Sequence, residues 1–124
     1  MARILLIDDD EQVRLMIRTM LERIGHDVVE AQDGVAGVEK FREAPADLVI
    51  TDIVMPQKGG IATIVELLRD YPGLRIIALS GGGASRGTDY LEVARQIGAS
   101  RTISMPVDME ELTETVGELL SQPN

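Results

Sequence analysis

Five short apolar runs punctuate the chain, at residues 4–7, 28–31, 48–51, 76–79 and 101–104. The first, third and fourth are continuously apolar, the pattern of strands covered on both faces. The second and fifth are weaker and more polar, which places them at the edges of a sheet. Between the runs, apolar residues recur at three and four positions, the spacing of one helix face. Val13, Met16, Ile17, Met20, Leu21 and Ile24 form the first such stripe, with Gly25 as its C-cap and Asp9 with Gln12 as a capping box. Val35, Val38 and Phe41 predict a second helix closed by Pro45, and Ile61, Ile64, Val65 and Leu68 a third closed by Pro72 and Gly73. Leu91, Ala94 and Ile97 predict a fourth, ending at Gly98; Leu112, Val116, Leu119 and Leu120 a fifth. Met16 and Met20 read as core residues and His26 as an exposed turn residue.

Strand alternating with helix five times predicts an α/β fold with a parallel sheet and right-handed crossovers. In such folds ligands bind outside the carboxyl ends of the strands, where the strand order reverses. Those ends carry Asp8, Asp9 and Asp10 after the first strand and Asp52 after the third. Ser80 and a glycine run follow the fourth strand, and Met105 and Pro106 the fifth. Carboxylates and one hydroxyl therefore converge on a single edge.

The composition narrows the chemistry. At 124 residues the chain is expected to form one domain over 1–124, with 121–124 as a frayed tail or cut linker. Asp and Glu number 21 against 12 Lys and Arg, a formal charge of −9, so nucleic acid is disfavoured as a direct ligand. With no cysteine and one histidine, disulfides and thiolate or imidazole metal sites are excluded. Aromatic residues at 2% argue against a stacking platform. No apolar run approaches the roughly 18 residues of a membrane span, and the N-terminal stretch lacks the apolar core of a signal peptide. A cytoplasmic location without membrane insertion is expected.

Crowded carboxylates repel one another, so either their pKa values rise or a metal ion neutralises them. An oxygen-only donor set suits a hard ion such as Mg²⁺. A carboxylate can also attack phosphorus to give an aspartyl phosphate. Asp52, ending the most apolar central strand, is the best nucleophile candidate, and a nearby hydroxyl can bond a phosphoryl oxygen.

These residues resemble the receiver domain of response regulators, the phosphoacceptor module of two-component signalling. The motifs are Leu5-Leu6-Ile7-Asp8-Asp9-Asp10; Asp47-Leu48-Val49-Ile50-Thr51-Asp52-Ile53-Val54-Met55-Pro56 with Gly59-Gly60; Ile77-Ala78-Leu79-Ser80-Gly81; and Gly98-Ala99-Ser100 leading to Met105-Pro106. The resemblance runs from Ile4 to about Leu120. It implies a flavodoxin-like (βα)5 doubly wound sandwich with strand order 2-1-3-4-5. It also implies that Asp52 is the phosphoacceptor, that Asp9 ligates Mg²⁺ directly, and that Asp8 acts largely through water. The Val54 carbonyl would be the backbone metal ligand, and Ser80 the hydroxyl that bonds the phosphoryl group and moves on activation. A cis peptide before Pro106 is implied as well. The donor would be a histidine kinase or phosphotransfer protein. Output would pass to a downstream protein partner through the fourth helix, fifth strand and fifth helix.

Two positions depart from the family pattern. Its lysine, just before the proline after the fifth strand, is Met105 here, and its switch aromatic is Thr102. A thioether carries no positive charge, so a weaker response is expected. Arg101 lies at the far end of its strand and is a poor substitute; Lys58 and Arg86 are loop cations that can be read as substitutes or as solvated charges. The departures keep open an alternative, a receiver-like protein-binding module with weakened or lost phosphorylation control. An independent enzyme is disfavoured. A haloacid-type phosphohydrolase wants an acid where Val54 stands, and a flavin-phosphate loop would not be built from Asp8-Asp9-Asp10-Glu11. The glycine run at 82–87 is followed by Thr88 rather than the lysine of a nucleotide loop.

Overall fold

The computed structural model describes residues 2–53, 59–80 and 92–122. Val54, Lys58, Arg86 and the glycine run lie outside the described residues. Among the described residues five strands and five helical segments alternate: β1 (Arg3–Ile7), α1 (Glu11–Arg23), β2 (Asp27–Ala31), α2 (Gly34–Glu43), β3 (Leu48–Asp52), α3 (Gly60–Asp70), β4 (Arg75–Ser80), helical residues 92–96 (α4), β5 (Arg101–Ser104) and α5 (Met109–Ser121). The strands form one parallel sheet in the order β2-β1-β3-β4-β5, as expected, with the two polar strands at its edges.

The alternation of strand side chains divides the core into two layers. Ile4 and Leu6 of β1, Leu48 and Ile50 of β3, and Ile77 and Leu79 of β4 pack on Ile17 and Leu21 of α1 and on Leu112, Val116 and Leu119 of α5. Leu5, Ile7, Val49, Ile76 and Ala78 point the other way, onto Val38 and Phe41 of α2, Ile64 and Leu67 of α3, and Ala94 of α4. Both faces of the central strands are thereby dry, which is why those runs contain no polar alternation.

Several local expectations are corrected. The N-cap of α1 is Asp10, whose Oδ1 accepts from the N–H groups of Gln12 and Val13, so the capping box of Asp9 with Gln12 does not form. Met16 is not core: it is 47% exposed, and Ile24, Val35 and Val65 are exposed too. A helix laid on a sheet buries a narrow stripe, here Ile17 and Leu21 of α1, and its flanks stay in water. His26 is half-buried, and its Nδ1 accepts the Ala2 N–H at 3.2 Å. Gly25 follows the C-cap Ile24 with φ 98°, a left-handed conformation that glycine adopts without a Cβ clash. The Met105–Pro106 peptide is cis.

Candidate functional site

The parallel register brings the ends of β1, β3 and β4 to one edge. Ile7 pairs with Thr51, Asp52 with Leu79, and Ser80 with Ser104. Asp8 extends β1 by one residue, its N–H donating to the Ala31 carbonyl at 3.1 Å. Asp52 is half-buried at the last position of β3, where the Thr51 hydroxyl donates to the Asp52 carbonyl at 2.9 Å. The end of β3 and the start of α3 are held close together. The Ile53 N–H donates to Leu79 O and the Gly60 N–H to Ile53 O, at 2.9 and 2.7 Å. A Cβ at Gly60 would stand 2.3 Å from the Asp52 carbonyl oxygen, so glycine is required where α3 starts against the site.

Asp8, Asp9 and Asp52 come together as expected. Each offers a carboxylate oxygen, and these oxygens all lie within 4.8 Å of one another. Asp8 is 1% exposed and Asp9 is exposed. The Asp8 Oδ1 accepts the Asp10 N–H at 2.8 Å, while its Oδ2 is buried with no hydrogen-bond partner among the described residues. Burial pushes the Asp8 carboxyl up to about 6 from its ordinary 3.8; the Asp10 amide and Arg14 oppose this, and the charges of Asp9 and Asp10 add to it. Ser80 ends β4 at 3% exposure, and its Oγ likewise has no partner among the described residues.

A buried acid oxygen and a buried hydroxyl left unpaired in a folded core normally signal a missing partner. An oxygen-only set of three carboxylates fits Mg²⁺, which binds through one or two carboxylates and keeps several waters. At the same edge the Ser80 hydroxyl, without a partner among the described residues, can donate to an anionic oxygen.

Met105 continues β5, its N–H donating to Ser80 O at 2.8 Å, and packs half-buried on the α1–α5 layer. Thr102 is half-buried and accepts from Arg95 Nη2 at 3.1 Å. Arg101 sits at the opposite end of β5, paired with Ile77, so it stays remote from the acid edge.

Sequence reasoning missed Arg14. From the first turns of α1 its Nη1 donates to the Asp8 carbonyl at 2.6 Å and its Nε to Glu30 Oε1 at 3.1 Å. The signal available was a cation five residues past Asp9 and an acid at the end of the second run; only the pairing of β1 with β2 joins them.

Comparison with known proteins gives the family of the fold. The response regulator receiver domain model matches residues 4–117, and the chain belongs to that family. It is 35% identical to protein PilH of Pseudomonas aeruginosa over 121 residues, covering 98% of this chain and 99% of that protein. It is also 35% identical to the chemotaxis protein CheY of Bacillus subtilis over 120 residues, 96% of this chain and 98% of that one. Among solved structures, a response regulator receiver domain protein from Clostridium thermocellum superposes with a TM-score of 0.88 at 30% identity, covering 97% of this chain and 94% of the other. No helix among the described residues is long and apolar enough to cross a membrane.

Proposed function

We propose that the protein is a phosphoryl-accepting signalling switch of a two-component or phosphorelay pathway, acting in the cytoplasm. One observation carries this reading: three carboxylates share one strand-end site, and two buried polar atoms at that sheet edge, Oδ2 of Asp8 itself and Oγ of Ser80, have no partner among the described residues. An Asp52 carboxylate oxygen attacks the phosphorus of a phosphohistidine on a histidine kinase or phosphotransfer protein. The new O–P bond forms as the donor's N–P bond breaks, and the imidazole leaves with the electron pair. Asp8, Asp9 and Asp52, with the Val54 carbonyl that the family resemblance implies, would hold Mg²⁺, which would supply neutralising charge for the carboxylates and phosphoryl oxygens. The Ser80 hydroxyl donates to a phosphoryl oxygen, and the α4–β5–α5 face changes its affinity for a downstream protein. The chain accepts a phosphoryl group and is not an independent catalyst of turnover.

Met105 favours a second reading, a protein-binding module with weakened phosphorylation control, since no ammonium stands at that position. A small-molecule acyl or amido phosphate donor with Mg²⁺, followed by intact mass, separates the two. The switch gains one phosphoryl group, and Asp52→Asn does not. Absence of the gain, or its persistence in Asp52→Asn, overturns the first reading.

A further inference from the structure

We propose that Arg14 is a positioning residue for the acid pair, bracing the Asp8 main chain against Glu30 so that the Asp8 carboxylate stays within the Asp8–Asp9–Asp52 cluster. The proposal rests on the Mg²⁺ site described above and adds to it a residue that touches neither ion nor phosphoryl group.

Arg14 sits in α1 with its N–H bonded to the carbonyl of the N-cap Asp10 at 3.0 Å. Its side chain is only 15% exposed, a depth at which a cation needs partners. One planar guanidinium makes both contacts, to Asp8 O and to Glu30 Oε1, and so ties the end of β1 to the end of β2. The far anchor is itself fixed. Glu30 Oε2 accepts from Arg18 Nη1, and the Glu30 carbonyl accepts from Lys40 Nζ. Burial alone would raise the Glu30 carboxyl, but Arg18 and Arg14 hold it below its ordinary value, so the anchor is ionised.

The near end is equally constrained. The Asp8 N–H goes to Ala31 O, its Oδ1 takes the Asp10 N–H, and its carbonyl takes Arg14, leaving Oδ2 as the atom without a partner among the described residues. Asp8 thus reaches the cluster with its peptide clamped on both sides. Groups that orient ligands in this way typically contribute 10- to 100-fold to metal affinity.

Position and charge predict opposite signs. If Arg14 acted only as a cation near the acids, removing it would make the cluster more negative and tighten Mg²⁺. If it positions Asp8, removing it weakens Mg²⁺. Mg²⁺ titrations followed by melting temperature, with amide spectra of Asp8 and Asp9 as a second readout, distinguish these for wild type, Arg14→Met and Arg14→Lys. The expected result is a Mg²⁺ midpoint raised about tenfold in Arg14→Met, with displaced Asp8 and Asp9 amides. Arg14→Lys is expected to remain weaker than wild type, because one ammonium lacks the planar two-pronged geometry. An unchanged or tighter midpoint in Arg14→Met, or full recovery in Arg14→Lys, overturns the proposal while leaving the Mg²⁺ site standing. A wild-type protein that shows no Mg²⁺ response overturns both.

Discussion

Replacing Asp8 with Asn should stabilise the metal-free protein at neutral pH. Asp8 is 1% exposed, and its carboxyl titrates at about 6 instead of 3.8, chiefly because burial disfavours the charged form. A raised carboxyl binds its proton more tightly in the folded state. Its contribution to stability is therefore fully present below 3.8 and is lost as pH rises through about 6. The gap of roughly two pH units corresponds to about 3 kcal/mol, or about 10 °C in melting temperature for a domain of this size. Asn keeps an oxygen to accept the Asp10 N–H and places an amide donor where Oδ2 has no partner among the described residues. Urea melts of wild type and Asp8→Asn in chelator, across the range from about pH 4 to about pH 8, read the difference. The variant should be the more stable by about 3 kcal/mol at the alkaline end, with the advantage fading towards the acidic end. Adding Mg²⁺ should stabilise wild type more than Asp8→Asn, since binding to the folded state alone adds stability. A difference between the two proteins that stays constant with pH would refute the argument that an ionised, buried Asp8 opposes folding.

Three further outcomes are expected. Gly60→Ala forces a Cβ to 2.3 Å from Asp52 O and 2.6 Å from Ile53 Cα, backbone atoms that cannot swing aside. It should cost about 1–3 kcal/mol in a denaturant melt, and an unshifted midpoint would mean that the turn relaxes freely. Asp10→Ala removes the acceptor for the Gln12 and Val13 N–H groups and should cost about 1 kcal/mol with faster amide exchange at both; unaltered exchange would return the cap to Asp9. Met105→Lys places an ammonium beside the end of β4, where a charge-assisted bond to a phosphoryl oxygen contributes about 1.5–3 kcal/mol. Phosphorylation should then move the amides of β5 and α5 further than in wild type, and equal shifts would show that Met105 is not what weakens the coupling.

Most of the framework was legible because its signals are local. A strand dry on both faces must be apolar throughout, and residues 4–7, 48–51 and 76–79 show that directly. The edge positions of β2 and β5 followed from their polar residues. The acid cluster was legible because Asp8, Asp9 and Asp52 all follow strands, and a parallel sheet sends every such position to one edge. What failed depended on distances along a surface. Met16 and Ile24 keep the helical period, but the stripe that α1 lays on the sheet is narrow, Ile17 and Leu21, and leaves them in water. The cap moved by one residue because Asp9 and Asp10 are chemically alike and only the turn after β1 chooses between them. Nothing local in the sequence singles out Arg14, Glu30 and Lys40; their meeting requires β2 beside β1 and α2 packed on both.

The contacts at the opposite edge of the sheet have a practical consequence. Ala2 bonds His26, Arg3 pairs its main chain with Asp47, and the Arg75 guanidinium reaches the Gln122 carbonyl, so both described ends of the chain gather where the strands begin. The length of β4 separates that edge from Ser80, about 17 Å at the usual rise. A tether, fluorophore or surface anchor attached at either end would therefore leave the acid edge facing outward. The molecule has a handle side and a working side, and immobilised formats can be built without covering the latter.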